Sequence, residues 1–156
     1  MRVYLSGAIE YAPDHGRAWR AAITPFLESL GHSVYDPALD EKKNLNDEER
    51  LHFRQWKTTD LPRFQRTLRK IIAYDLDHIE QQTDFILCYW DPYSRLGAGT
   101  QGELTVAHRR GIPIYLVLGV PVTEVSGWIL GCSTQIFNGF DELKTFMQAE
   151  MAVAKQ

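Results

Sequence analysis

This sequence is short of several things, and each shortage removes a class of function. Of 156 residues only two are cysteine, Cys88 and Cys132, and they have no metal-binding spacing. Cys88 falls inside an apolar run, where a free thiol packs as a small hydrophobe. No apolar run approaches membrane-spanning length, and the chain opens directly on Arg2-Val3-Tyr4-Leu5 with no signal-peptide pattern, so a cytoplasmic protein is expected. Basic residues are not in excess: the formal net charge is −3, which argues against a nucleic-acid-binding surface. There are no internal repeats, no low-complexity segments and no linker. What remains is 44% hydrophobic and 24% charged residues, the balance of one soluble globular domain spanning residues 1–156.

The chain is organised around Asp84 to Arg110. Phe85-Ile86-Leu87-Cys88-Tyr89 reads as a buried strand, followed by a turn, the glycine-rich loop Gly97-Ala98-Gly99, and a helix from near Thr100 to Gly111. That order aims the free N–H groups and positive end of the helix at whatever binds beyond the strand. Glu103 sits in the first turn of this helix.

Around this corner, strands are expected at Val3–Leu5, Ser33–Tyr35, Pro113–Leu118 and Gln135–Phe137. A helix from about His15 to Leu30 should bury Trp19, Ala22, Ile23, Phe26, Leu27 and Leu30. A second, starting at Asp60 and Pro62 and running to about Gln82, should bury Phe64, Leu68, Ile71, Ile72, Leu76 and Ile79. A closing helix follows Asn138-Gly139. Residues 36–62 form a charged excursion with one short helix near Glu48 to Trp56, read as a solvated flap with an apolar underside, with a substrate lid as the alternative. Gly119 to Ser133 reads as irregular. Strands alternating with helices predict a doubly wound, flavodoxin-like sheet of five parallel strands in a three-layer α/β/α domain. Ligands bind such sheets beyond the carboxyl ends of the strands, an edge that collects Ser6-Gly7, Asp36-Pro37, Asp91 to Thr100 and the segment after Leu118.

Asp75 is the oddity of the long helix. It falls on the apolar stripe, where an ionised acid is costly to bury without partners. Glu103, Asp75 and Asp91 are expected to meet at the ligand edge within reach of Tyr4. Two neighbouring carboxylates suit glycosidic bond cleavage, one as nucleophile and one managing the proton of the leaving group. Each residue also has a structural reading. Thr100-x-x-Glu103 fits a capping box, Asp75 fits a structural acid held by backbone N–H groups, Asp91 before Pro92 is an ordinary turn former, and Tyr4 fits the core. Gly97 to Gly102 also spells G-x-G-x-x-G, the dinucleotide fingerprint, although it follows the third strand instead of the first. No Walker lysine follows, so nucleoside triphosphate hydrolysis has no support.

At these residues the chain resembles the nucleoside 2-deoxyribosyltransferase family. The motifs are Val3-Tyr4-Leu5-Ser6-Gly7, Asp75-Leu76-x-x-Ile79, Thr83-Asp84-Phe85-Ile86 and Gly99-Thr100-x-x-Glu103, with Gly111-Ile112-Pro113 behind. The resemblance implies that Glu103 is a nucleophile forming a ribosyl-enzyme intermediate. It further implies that Asp75 assists base departure, that the Tyr4 hydroxyl orients Glu103, and that the Asp91–Thr100 loop surrounds the sugar. Substrate contacts are then expected from Gly7, Ile9, Asp91, Ser94, Gly97, Gly99 and Thr100. It implies no metal and no cofactor, a small nucleoside or nucleotide substrate, and a homo-oligomer with shared sites, Cys132 or Ser133 of a neighbour lying close by. Members that take nucleoside monophosphates carry Ser and Arg in the turn after the first strand, where this chain has Ala8 and Glu10. A negative charge there disfavours a 5′-phosphate, with Ser94 and Ser133 left as possible phosphate contacts. The expected activity is cleavage of a (2′-deoxy)nucleoside N-glycosidic bond with transfer to another base or to water. A monophosphate N-glycosidase and a non-catalytic nucleotide- or dinucleotide-binding module are the alternatives. A more distant likeness links the G-T-x-x-E element to cytokinin-activating phosphoribohydrolases, whose preceding Pro-Gly-Gly is missing here.

Overall fold

A computed structural model describes residues 1–40 and 42–153; Glu41, part of the charged cluster of the excursion, lies outside the described residues. The elements run β1 (Arg2–Gly7), α1 (Arg17–Ser29), β2 (Ser33–Tyr35), α2 (Asp47–Thr59), α3 (Leu61–Gln82) and β3 (Phe85–Trp90). Then come α4 (Gly99–Arg110), β4 (Ile114–Leu118), a short 3-10 turn (Val122–Glu124), α5 (Gly127–Cys132), β5 (Gln135–Phe137) and α6 (Phe140–Val153). All strands are parallel, in the order β2-β1-β3-β4-β5. This is the predicted doubly wound domain.

Side chains alternate across the strands, and so the apolar residues sort into two cores. Val3, Leu5, Phe85 and Leu87 pack with Ile23 and Leu27 of α1 and Leu143 and Met147 of α6. On the opposite face Tyr4, Ile86, Cys88 and Trp90 pack with Ile79 of α3, Leu104 and Ala107 of α4, and Ile129 of α5. No helix among the described residues is long and apolar enough to cross a membrane.

Four local expectations change. Helix α1 starts at Arg17, not His15, because His15 and Gly16 both sit at positive φ, 56° and 69°. Ala22 and Ile72 are exposed, so the buried stripes of α1 and α3 are narrower than the spacing predicts. The stretch after Gly119 is not wholly irregular, since α5 covers the sheet there. The helix of the excursion is longer than the expected Glu48 to Trp56: α2, Asp47–Thr59, is capped by Asn46 through a capping box with Glu49 and lies along α3. The two helices meet through Phe53 stacked on Phe64, rings 6.4 Å apart, and Arg63 over the Trp56 ring at 3.8 Å.

The strand order reverses between β1 and β3. Chains leaving those two strands part in opposite directions and open a crevice, which in this architecture is the place for a ligand.

Candidate active site

Tyr4 and Ser6 are two residues apart on β1 and therefore face the same side of the sheet, under α4. Glu103 lies one turn into α4 and points at them. Tyr4 Oη donates to Glu103 Oε1 at 2.9 Å, and Ser6 Oγ donates to Oε2 at 2.5 Å. Each carboxylate oxygen is thus held by a side-chain hydroxyl. The capping box does not form: the N-cap of α4 is Ala98, with no side-chain bond, and Thr100 is already inside the helix. Enclosure drives the Glu103 carboxyl up to about 7; the Asp75 charge adds to the rise, while the Ser6 and Tyr4 bonds oppose it. Burial, reinforced by Glu103 and Asp75, also pushes the Tyr4 hydroxyl well above its ordinary value, so Tyr4 is a donor and not a base.

Asp75 comes to the same crevice from α3. It does not cap backbone; its partner is Lys43 of the excursion, whose Nζ lies 2.8 Å from Oδ1 and 2.9 Å from Oδ2. Burial raises the Asp75 carboxyl and Lys43 opposes that rise. The Lys43 loop is tied down by Asp40, which accepts bonds from Tyr35 Oη at 3.1 Å and Tyr74 Oη at 2.8 Å. Lys43 and Asn44 both adopt positive φ, 33° and 60°, a conformation side chains rarely take.

Glu103 and Asp75 both line a cavity of about 820 Å³. Of the residues expected to contact substrate, Gly7, Ile9, Ser94, Gly97, Gly99 and Thr100 line it as well. Asp91 does not. Its Oδ1 accepts from the backbone of Tyr93 and Ser94 and from Ser94 Oγ, all at 2.9 Å, so it braces the loop that carries Ser94. Tyr4 is fully buried behind Glu103, and the segment after Leu118 does not reach the cavity. Cys132 is buried against α4, and Ser133 Oγ donates to the Ile129 carbonyl. The outer wall is supplied by the excursion, through Leu45, Phe53, Arg54 and Lys57. A smaller hollow of about 490 Å³, at the opposite ends of the strands around Arg2 and Asp84, holds none of these residues.

Two residues escaped sequence reading. Ser6 was within reach, because strand alternation places it with Tyr4. Lys43 was not, since nothing in a loop lysine announces a partner 32 residues away.

The dinucleotide fingerprint fares poorly in its own geometry. The third glycine of such a loop serves close helix–strand packing, yet a Cβ added at Gly102 would meet nothing within 4 Å.

Among solved structures, the chain is similar to the 2-deoxyribosyltransferase of the psychrotolerant bacterium Bacillus psychrosaccharolyticus. The match has 18% identity over 97% of this chain and 96% of that one, with a TM-score of 0.59. At that identity the likeness establishes a shared flavodoxin-like α/β fold. No protein-family model matches the chain, and no curated protein matches it in sequence.

Proposed function

We propose that this chain cleaves the N-glycosidic bond of a 2′-deoxynucleoside and passes the sugar to a second base or to water. The reading is carried by Glu103: a carboxylate lining a cavity of about 820 Å³, both oxygens aligned by hydroxyl donors, with a second carboxylate, Asp75, in the same crevice. In this reading one Glu103 oxygen attacks C1′ as the base leaves, and a glycosyl ester forms. Tyr4 and Ser6 fix the carboxylate so that little reorganisation is needed at attack. Asp75 handles the proton of the departing base. A 2′-deoxy sugar suits this chemistry, because the absent hydroxyl eases oxocarbenium character at the transition state. The shared fold with a 2-deoxyribosyltransferase supports the reading at the level of architecture.

A nucleoside 5′-monophosphate is the second reading, favoured by one observation. The Glu10 carboxylate that would repel a phosphate is paired with Lys57 at 2.8 Å, and Arg17 and Arg54 also line the cavity. The two readings separate by chromatography. The four common 2′-deoxynucleosides and their 5′-monophosphates are each incubated with and without a free acceptor base, and products are resolved. Release or exchange of base from a nucleoside, abolished by Glu103→Ala with the fold intact, supports the first. Turnover of the monophosphate alone supports the second. Saturable binding of NAD or ADP-ribose without base release would instead favour the binding module.

A further inference from the structure

Neither carboxylate of the crevice stands alone. Asp75 is engaged on both oxygens by an ammonium that is itself almost wholly buried, 9% exposed, yet lines the cavity. An ammonium on both oxygens favours the ionised form, which has no proton of its own to give a departing base. The geometry points to Lys43 as the source of that proton, with Asp75 as the relay between the lysine and the base. This inference rests on the glycosidic reading of the site.

Several features favour a working pair over a structural ion pair. Exposed ion pairs form cheaply at a surface, whereas this one is taken into a crevice at the expense of desolvation. Its lysine is delivered by a backbone in the left-handed region at two successive residues. The loop is fastened by Asp40 to β2 and α3 through two tyrosine hydroxyls, an arrangement that fixes where Nζ lies. The other ionisable groups facing the pair leave it as the proton store. Glu103 of α4 is the nucleophile and must be ionised. Tyr4 of β1 is committed to Glu103, and Tyr35 of β2 and Tyr74 of α3 to Asp40. His78 of α3 is stacked on Tyr35 at 3.7 Å, and burial holds it below its ordinary value.

The step balances. The C1′–N bond breaks and its electron pair goes to the base nitrogen, while a Glu103 oxygen bonds C1′. Asp75 gives one proton to that nitrogen and takes one from Lys43, which is left as a neutral amine. In the second half the acceptor base, or water, bonds C1′ and frees the Glu103 carboxylate. Its surplus proton returns through Asp75 and the ammonium is restored. Lys43 acts through Asp75, so it is a positioning residue.

The test uses Lys43→Met and Lys43→Arg with two kinds of substrate. One is the best of the common 2′-deoxynucleosides; the other is 4-nitrophenyl 2-deoxy-β-ribofuranoside, whose leaving group departs as a stable anion without a proton. Lys43→Met leaves Asp75 as its own proton store. A carboxyl loses its proton at lower pH than an ammonium does, so kcat on the nucleoside should fall about 100-fold more at pH 9 than at pH 6. The loss on the nitrophenyl glycoside should be smaller by about tenfold or more. Lys43→Arg should restore the melting temperature but not the alkaline activity, because a guanidinium keeps its proton. Full rescue by arginine, or equal losses on both substrates with an unchanged pH profile, overturns the inference and leaves the glycosidic reading standing. A wild-type protein that cleaves neither substrate overturns both.

Discussion

Arg20 and Asp36 form an ion pair beneath the crevice, Nε to Oδ1 at 3.4 Å, with the arginine side chain wholly withdrawn from water. The same guanidinium donates to the carbonyls of Gly16 at 2.9 Å and Gly7 at 3.0 Å. One side chain therefore fastens the turn after β1, the start of α1 and the end of β2. Removing it takes the cation from Asp36, which keeps the Ala38 N–H at 2.8 Å, and a buried donor from both carbonyls. Arg20→Leu is expected to cost about 3–5 kcal/mol of unfolding free energy, measured by urea denaturation.

Gly16 meets the same guanidinium from the other side. At φ +69°, a Cβ there would collide with Arg20 Nη1 and the Ala8 carbonyl. Gly16→Ala should lower the melting temperature more than Gly131→Ala on α5, where nothing lies within 4 Å of the added carbon. Parallel thermal melts check this.

The hydroxyl clasp on Glu103 sets a pH dependence. Tyr4 and Ser6 donate to the ionised form and so favour it, opposing the rise that burial imposes. With the wild-type carboxyl at about 7, turnover should rise through neutral pH as Glu103 ionises. Ser6→Ala and Tyr4→Phe should each move that rise to higher pH and lower kcat at pH 7 by about 10- to 100-fold. A rise that stays in place would mean that the clasp does not govern the ionisation of Glu103.

The same group has a linked effect on stability. Its folded value of about 7 exceeds the ordinary 4.5, so between these the folded chain binds more protons than the unfolded one. Stability from this group is full below pH 4.5 and is lost as pH rises through about 7. Glu103→Gln removes that loss. It should therefore be more stable than wild type at pH 8, by about 1–3 kcal/mol, and lose the advantage as pH falls toward 4.5.

If the substrate carries a 5′-phosphate, Arg17→Ala and Arg54→Ala should raise KM for the monophosphate by about tenfold or more and leave KM for the nucleoside nearly unmoved. Equal effects on both substrates would assign these arginines to the wall alone.

Much of this architecture was legible in the sequence because it is written in local periods. The run Phe85–Tyr89, the alternation of Val3, Tyr4 and Leu5, and the apolar spacing of the helices are each short-range patterns that a sheet or helix must satisfy. Asp75 stood out as an acid on a greasy face, and the crevice does receive it. What failed to show was contact without period. Thr100-x-x-Glu103 reads as a capping box only if the helix starts at Thr100; it starts at Gly99, with Ala98 as the cap, and the carboxylate is drawn instead to hydroxyls 99 and 97 residues away. Asp91 looked like a ligand residue or a turn former, and its bonds are those of a turn. α5 was missed because a six-residue helix with glycine at its first position offers almost no spacing to read.

The wall of the cavity and its floor have different origins. The floor hangs from β1 and α4, whose positions the whole sheet enforces, whereas the outer wall hangs from α2 and the loop before it, an appendage joined to the body chiefly along α3. Such a division lets substitutions at Leu45, Phe53 or Arg54 reshape what the cavity admits while Glu103, Tyr4 and Ser6 keep their places on the sheet and its covering helix.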